Sequence, residues 1–245
     1  MARTALVTGA NRGIGLEFVR QLLARGDHVV ATCRHPGKAS ALNALAGDHP
    51  ARLHVLPLDV ADAKSRASLV HDLPLVLGDD GRIDLLLNNA GVLHSGERFG
   101  HVEQATLDDS LRTNAIGPFL LAQALAPLLR DGTVAVDDAA SPCTIIANIS
   151  SQLGSITHTA RFGTPSYAIS KAAQNMASAL LANALAGRGV VVLALHPGWV
   201  QTEMGGAQAQ VTPVDAVAGL LRVIDAATPS QSGSFLDWRG EPLPW

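Results

Sequence analysis

Tyr167 and Lys171 stand four residues apart in PSYAISKAAQ (165–174), and both types are scarce: Tyr167 is the only tyrosine in 245 residues, and Lys38 and Lys64 are the only other lysines. Thr164 and Pro165 read as an N-cap and a first helical residue, so the pair falls on one helix face at i, i+4. An ammonium beside a phenol favours the phenolate and lowers the tyrosine pKa from about 10. A phenol tuned in this way passes a proton to or from an alcohol near neutral pH. The plainer alternative is a packed tyrosine beside a solvated lysine. A second group lies at the start of the chain, where TALVT (4–8) opens into TGANRGIGLEF. Gly9 permits a tight turn, Gly13 a close backbone approach, and Gly15 the packing of helix on strand. Asn11, Arg12 and Ile14 fill the loop between them. Such a loop presents unpaired N–H groups at a helix N-terminus, which suits a pyrophosphate. The spacing is GxxxGxG rather than GxGxxG.

These groups need a scaffold, and the remaining sequence supplies one. Short apolar runs recur at 4–8, 28–32, 53–58, 83–88, 144–149 and 190–195, with a last candidate at 232–237. Most are apolar throughout, as strands covered on both faces would be. Helical stretches separate them, among them a long one from Thr106 to Arg130 and another from Pro165 to Gly187. Strand and helix in alternation imply βαβ units and right-handed crossovers. The expected fold is α/β: a single doubly wound Rossmann-type domain over 1–245, with a parallel sheet of about seven strands and helices on both faces. The segment 131–143 is long for a helix-to-strand connection and reads as a surface insertion, and 153–164 is a second loop ahead of the tyrosine helix.

The end of the second strand selects between nucleotides. An Asp or Glu there would bind a ribose 2′-hydroxyl, but ATCRHP (31–36) has none. Arg34 takes that place and Arg12 lies in the glycine loop, so two guanidiniums stand ready for a 2′-phosphate. NADP(H) is therefore expected over NAD(H), which remains possible. Asp59, closing the third strand in LPLDV, reads either as an acceptor for the adenine amino group or as a helix N-cap.

With these motifs in order along the chain, the sequence resembles the short-chain dehydrogenase/reductase family, in its compact single-domain branch. The matching segments are TGANRGIG (8–15), LDV (58–60), NNAG (88–91), NAIGP (114–118), NISS (148–151), YAISK (167–171) and HPGWVQTEM (196–204). FLDWRGEPLPW (235–245) and SSQLGSI (150–156) are most similar to the C-factor-like, carbonyl reductase subgroup. The resemblance implies that Tyr167 is the general acid/base and that Lys171 binds the nicotinamide ribose and depresses the tyrosine pKa. Ser151 would hydrogen-bond the substrate carbonyl, with Ser150 as the fallback if the alignment slips by one. Asn114 would hold a water linking the lysine to solvent, or else only satisfy backbone. Asp59 and Val60, then Asn88, Ala90 and Gly91, would lie along the adenosine half. Pro197, Gly198, Val200 and Thr202 would clamp the nicotinamide amide. The serine-to-tyrosine interval is a few residues longer than the family's common spacing, which lengthens 153–164.

The expected reaction is reduction of a ketone or aldehyde. Leu153, Ile156, Phe162, Trp199 and Met204 would give an apolar pocket, with His94 and His158 as polar candidates that read equally as solvated loop residues. Two rivals stand beside this: a dinucleotide-binding signalling protein of C-factor type with incidental turnover, and a sugar-nucleotide epimerase. The epimerase reading suffers from the glycine spacing and the short substrate region. A net charge of −3 without a basic stripe argues against nucleic acid and anionic membranes as partners. Two cysteines and scattered histidines give neither a disulfide framework nor a metal-ligand spacing, so a reducing cytoplasm is expected. Only 16% of residues are charged, and the helix 172–186 is rich in alanine, which points to a homodimer or homotetramer.

Overall fold

Buried β-branched runs separated by helices satisfy their backbone groups by pairing with one another in parallel. The computed structural model describes residues 2–77, 81–132 and 144–245. Among them seven strands build one sheet: β1 (Thr4–Thr8), β2 (His28–Cys33), β3 (Leu53–Pro57), β4 (Leu85–Asn88), β5 (Thr144–Ile149), β6 (Val190–His196) and β7 (Phe235–Asp237). Their order is β3-β2-β1-β4-β5-β6-β7, and every neighbouring pair is parallel. The order reverses between β1 and β4. A crevice must therefore open beyond the carboxyl ends of those two strands, where ligands of such sheets bind.

Alternation along each strand divides the core in two. Ala5, Val7, Leu85, Leu87, Val191 and Leu193 face one way, against Phe18 and Leu22 of α1 (Gly13–Ala24), Leu42 of α2 (Ser40–Asp48) and Leu220 of α7 (Pro213–Asp225). Leu6, Leu86, Ile146 and Val192 face the other way. There they meet Leu69 of α3 (Ala63–Asp72), Leu121 of α5 (Gly117–Leu125) and Leu181 of α6 (Pro165–Leu185). Each fully buried leucine contributes roughly 1.5–3 kcal/mol.

Three differences from the sequence reading have local causes. β3 is an edge strand, so its middle residues are only half-buried although the run looks fully apolar. The strand expected at 83–88 starts at Leu85: Ile83 bridges to Leu129 instead, and Asp84 turns its carboxylate to the N–H of Thr4 (2.8 Å) and to Arg130. The long helix expected over 106–130 is broken into α4 (Gln104–Leu111), a π-turn at Arg112–Ile116, then α5. The α-helical donor for the Asn114 carbonyl would be the N–H of residue 118, which is proline and has none. Gly117 also abuts the Val60 carbonyl, where a Cβ would overlap the oxygen. The insertion expected at 131–143 lies outside the described residues from 133 on, and so does Cys143. Among the described residues no helix is long and apolar enough to cross a membrane.

Candidate active site

The glycine loop leaves β1 and turns into α1. Gly9 has φ +64°, and a Cβ on it would stand 2.8 Å from the Ala90 Cα. Gly13 has φ +54°, and a Cβ on Gly15 would overlap the Gly9 carbonyl oxygen. The backbone is thus folded as tightly as glycine alone permits. α1 has no side-chain cap at Arg12 and no acid in its first turn, so its first N–H groups have nothing among the described residues to neutralise them. A cradle of this kind fits a dinucleotide pyrophosphate.

Thr8 and Asn89 hold the cradle together, and neither was singled out from the sequence. The Thr8 hydroxyl accepts from the N–H groups of Asn89 and Ala90, each at 3.0 Å. The Asn89 amide donates to the carbonyls of Thr8 (2.9 Å) and Gly9 (3.1 Å). Together they splice the ends of β1 and β4 at the crossover point. The doubled asparagine of NNAG was the available signal.

Around the cradle, Asn11 and Arg12 are exposed, and Ile14, Ala90 and Gly91 are half-buried. Arg34 is exposed at the end of β2 and makes no ion pair with the described residues. Arg12 pairs with Glu203. Asp59 is not a helix cap: it accepts from the Ala61 N–H at 3.0 Å, while Asp62 caps α3. Two expected contacts are corrected in kind. Val60 and Val200, each 4% exposed, turn their side chains into the protein, which leaves only their main chains for a ligand. Asn88 is corrected outright. It is 0% exposed, and its amide donates to Asn148 Oδ1 at 2.8 Å behind the sheet edge.

The loop after β6 forms the opposite jaw. Pro197 is buried, and Gly198 takes φ +83° against the Trp238 indole. The Thr202 methyl lies 3.4 Å from where a Gly13 Cβ would be, so this loop meets the glycine turn directly.

Between the jaws lie the ends of β5 and α6. Ser151 follows β5, its hydroxyl accepts from the Leu153 N–H at 3.2 Å, and it stands near enough to the Tyr167 hydroxyl to favour the phenolate. Ser150 is excluded from that place, since its hydroxyl donates to Asn175 Oδ1 in the interior. α6 begins differently from the sequence reading. Thr164 stands at the N-cap in a left-handed conformation, φ +42°, and its side chain makes no capping bond. Glu97 caps instead, accepting from the Ser166 hydroxyl at 2.8 Å and weakly from its N–H.

Lys171 Nζ lies 5.5 Å from the Tyr167 ring centre and donates to the Ile149 carbonyl (2.7 Å) and to Gln174 Oε1 (2.8 Å). Burial pushes the Tyr167 hydroxyl up to about 12, opposed in part by the Ser151 hydroxyl, and pushes the lysine down to about 7. The expected lowering of the tyrosine pKa is therefore corrected. Desolvation outweighs the field of an amine that is itself only partly charged near neutrality.

Asn114, in the π-turn, uses both amide hydrogens on the Val92 carbonyl and the Ser170 hydroxyl (2.9 Å each), while its oxygen accepts from the Val92 N–H at 2.8 Å. Of the two sequence readings, the side chain follows the second, satisfying backbone across to the loop after β4. What remains for a water is its carbonyl, deprived of its α-helical donor.

The pocket candidates Leu153, Ile156, Phe162, Trp199 and Met204 are all exposed apolar side chains, on the loops that follow β5 and β6. Phe162 meets Phe99 edge-to-face at 5.7 Å, a partner not foreseen. His94 is tied to Asp109 at 2.9 Å, and His158 is exposed.

The short chain dehydrogenase family matches residues 3–212 of this chain. C-signal of Myxococcus xanthus is 39% identical over 165 residues, covering 67% of this chain and 94% of that one. Among solved structures, the carbonyl reductase Sniffer of D. melanogaster superposes with a TM-score of 0.92 at 34% identity over the full length of both chains. NADPH-bound carbonyl reductase from chicken fatty liver gives 0.90 at 37%, covering 100% of this chain and 99% of that one.

Proposed function

Since the chain belongs to the short chain dehydrogenases and is an NAD(P)-dependent oxidoreductase, we propose that it uses NADPH to reduce a ketone or aldehyde to the alcohol. The observation that carries this reading is the grouping of Tyr167, Lys171 and Ser151 at the carboxyl end of β5, between the glycine cradle and the apolar loops. When bound, the dinucleotide supplies the hydride. Gly9, Gly13, Gly15 and the first turn of α1 would hold its pyrophosphate, and Thr202 and Gly198 its nicotinamide half. A phenol with a pKa near 12 is protonated at pH 7, the form that donation requires. Its proton would go to the carbonyl oxygen as the ketone or aldehyde is reduced. The Ser151 hydroxyl is then free to hydrogen-bond the charge growing on that oxygen. The Lys171 ammonium stabilises the phenolate left behind. The test is NADPH oxidation against a panel of aliphatic and aromatic aldehydes and ketones. The likeness to C-signal supports a second reading, in which the chain signals; it predicts dinucleotide binding with no turnover on any carbonyl.

Preference for NADPH rests on Arg34, exposed and without an ion-pair partner among the described residues, and on Arg12 beside the cradle. Loss of one charge-assisted bidentate contact is worth roughly 1.5–3 kcal/mol. Arg34→Ala is therefore expected to weaken NADPH by about 10- to 100-fold and leave NADH unchanged, by calorimetric titration. An equal effect on both would dismiss the 2′-phosphate assignment.

One sheet takes strands from Thr4 to Asp237, which supports a single domain over 1–245. The buried free thiol of Cys33 suits a cytoplasmic setting. The partner we propose beyond the substrate is a second copy, as homodimer or homotetramer. Ile116 of the π-turn and Ile169, Met176 and Leu180 along one face of α6 are exposed apolar side chains. Light scattering is expected to give at least a dimer, reduced to monomer by Met176→Asp with Leu180→Asp; a monomeric wild type contradicts it.

A further inference from the structure

Behind the Tyr167–Lys171 pair a chain of polar side chains runs into the protein between the sheet and α6. Asn88 donates to Asn148 (2.8 Å), Asn148 to the Ser178 hydroxyl (2.8 Å), and Ser178 to the main-chain carbonyl of Gln174 (2.8 Å). Gln174 closes the chain by offering Oε1 to Lys171 Nζ. Asn88, Asn148, Ser178 and Gln174 are each at least 98% buried. A glutamine amide has two ends, and only its oxygen can face an ammonium. Here that orientation leaves Gln174 Nε2 buried without an acceptor among the described residues. An apolar residue would fill the same space with no unmet N–H, so stability alone does not explain a glutamine one turn beyond the lysine.

We propose that Gln174 is a positioning residue: through Oε1 it holds the Lys171 amine in its buried seat and keeps it charged under the Tyr167 ring. The proposal rests on the oxidoreductase reading of the site. The surroundings of Lys171 make the amide's share large. Its own helix brings Tyr167; β5 brings the Ile149 carbonyl; the loop after β4 brings Gly91; the π-turn brings the Asn114 amide; and the turn after β5 brings the Gly154 backbone. Tyr167 is the one titratable group among these, and no carboxylate among the described residues pairs with the lysine. Two neutral oxygens, those of Ile149 and Gln174, therefore carry the stabilisation of the ammonium that a counter-charge would otherwise supply.

The test reads the lysine itself. With only three lysines in the chain, 13C-lysine labelling gives three resolvable Cε signals, and Lys171→Met identifies the buried one. In Gln174→Leu the Lys171 midpoint is expected to fall by about one pH unit, and in Gln174→Glu to rise by at least as much. In carbonyl reduction the alkaline limb of kcat/KM should move the same way, with NADPH affinity unchanged. A residue that merely filled space would move neither. If Gln174→Leu fails to fold, the Gln174→Glu shift decides alone. An unshifted midpoint in the folded variant overturns the proposal. Because the NMR titration needs no turnover, absence of carbonyl reduction would count against the proposed reaction without touching this result.

Discussion

Tyr167→Phe is expected to lower kcat for carbonyl reduction by about 10²- to 10⁴-fold while NADPH still binds with near wild-type affinity. The substitution removes one oxygen and keeps the ring. Tyr167 is 9% exposed, and its ring packs beneath the Lys171 ammonium, an arrangement phenylalanine preserves. The loss is confined to the hydroxyl proposed to donate the proton, which lies beside Ser151. Ser151 keeps its bond to the Leu153 N–H, so the turn after β5 stays in place. Single-turnover NADPH oxidation, beside a binding titration on the same sample, separates chemistry from affinity. Turnover surviving at a similar rate would remove Tyr167 from the mechanism, and a parallel collapse of binding would make its role structural.

Much of this arrangement was legible in the residues themselves, for reasons that differ from part to part. β1, β5 and the glycine loop are local: five or six consecutive residues, nearly all β-branched or apolar, determine a strand, and a loop that permits no Cβ must be glycine. The Tyr167–Lys171 spacing is also local, since both lie on one helix. What escaped notice depends on distant pairs. Asn89 matters because its amide reaches Thr8 and Gly9 some 80 positions earlier. Glu97 caps α6 from 69 positions away, and no spacing rule connects it to Ser166. The family resemblance puts Asn88 on the adenosine half, yet alternation sends its side chain behind the sheet. The direction of the tyrosine pKa was misread for a related reason. Sequence gives the neighbouring charge, whereas burial, which dominates, is a property of the assembled fold.

That burial gives Lys171 a second, measurable consequence, in stability. The amine is 4% exposed and depressed from 10.5 to about 7. Between those values the unfolded chain binds a proton that the folded chain does not, so folding stability rises with pH across this window. The contribution is fully present above pH 10.5 and is lost as pH falls toward 7. Lys171→Met keeps the length of the side chain and has nothing to titrate. Subtracting the variant's unfolding free energy from that of wild type cancels groups common to both. The difference should climb in favour of wild type by roughly 1.4 kcal/mol per pH unit, some 3–5 kcal/mol in all from pH 7 to 10.5. His196, buried and depressed to about 4, acts only below pH 6.5 and does not intrude. At pH 7 and below, wild type bears the full desolvation of a buried ammonium. The Lys171→Met variant would escape it but would leave the Ile149 carbonyl and Gln174 Oε1 without a donor, at about 1–3 kcal/mol each. The two proteins are therefore expected to be of similar stability at neutral pH and to separate steadily as it rises. Urea unfolding at pH 7, 8, 9 and 10 measures this, and a difference that stays flat would mean that the amine titrates as if in water. Activity should be lost at every pH, since a thioether cannot stabilise the Tyr167 phenolate.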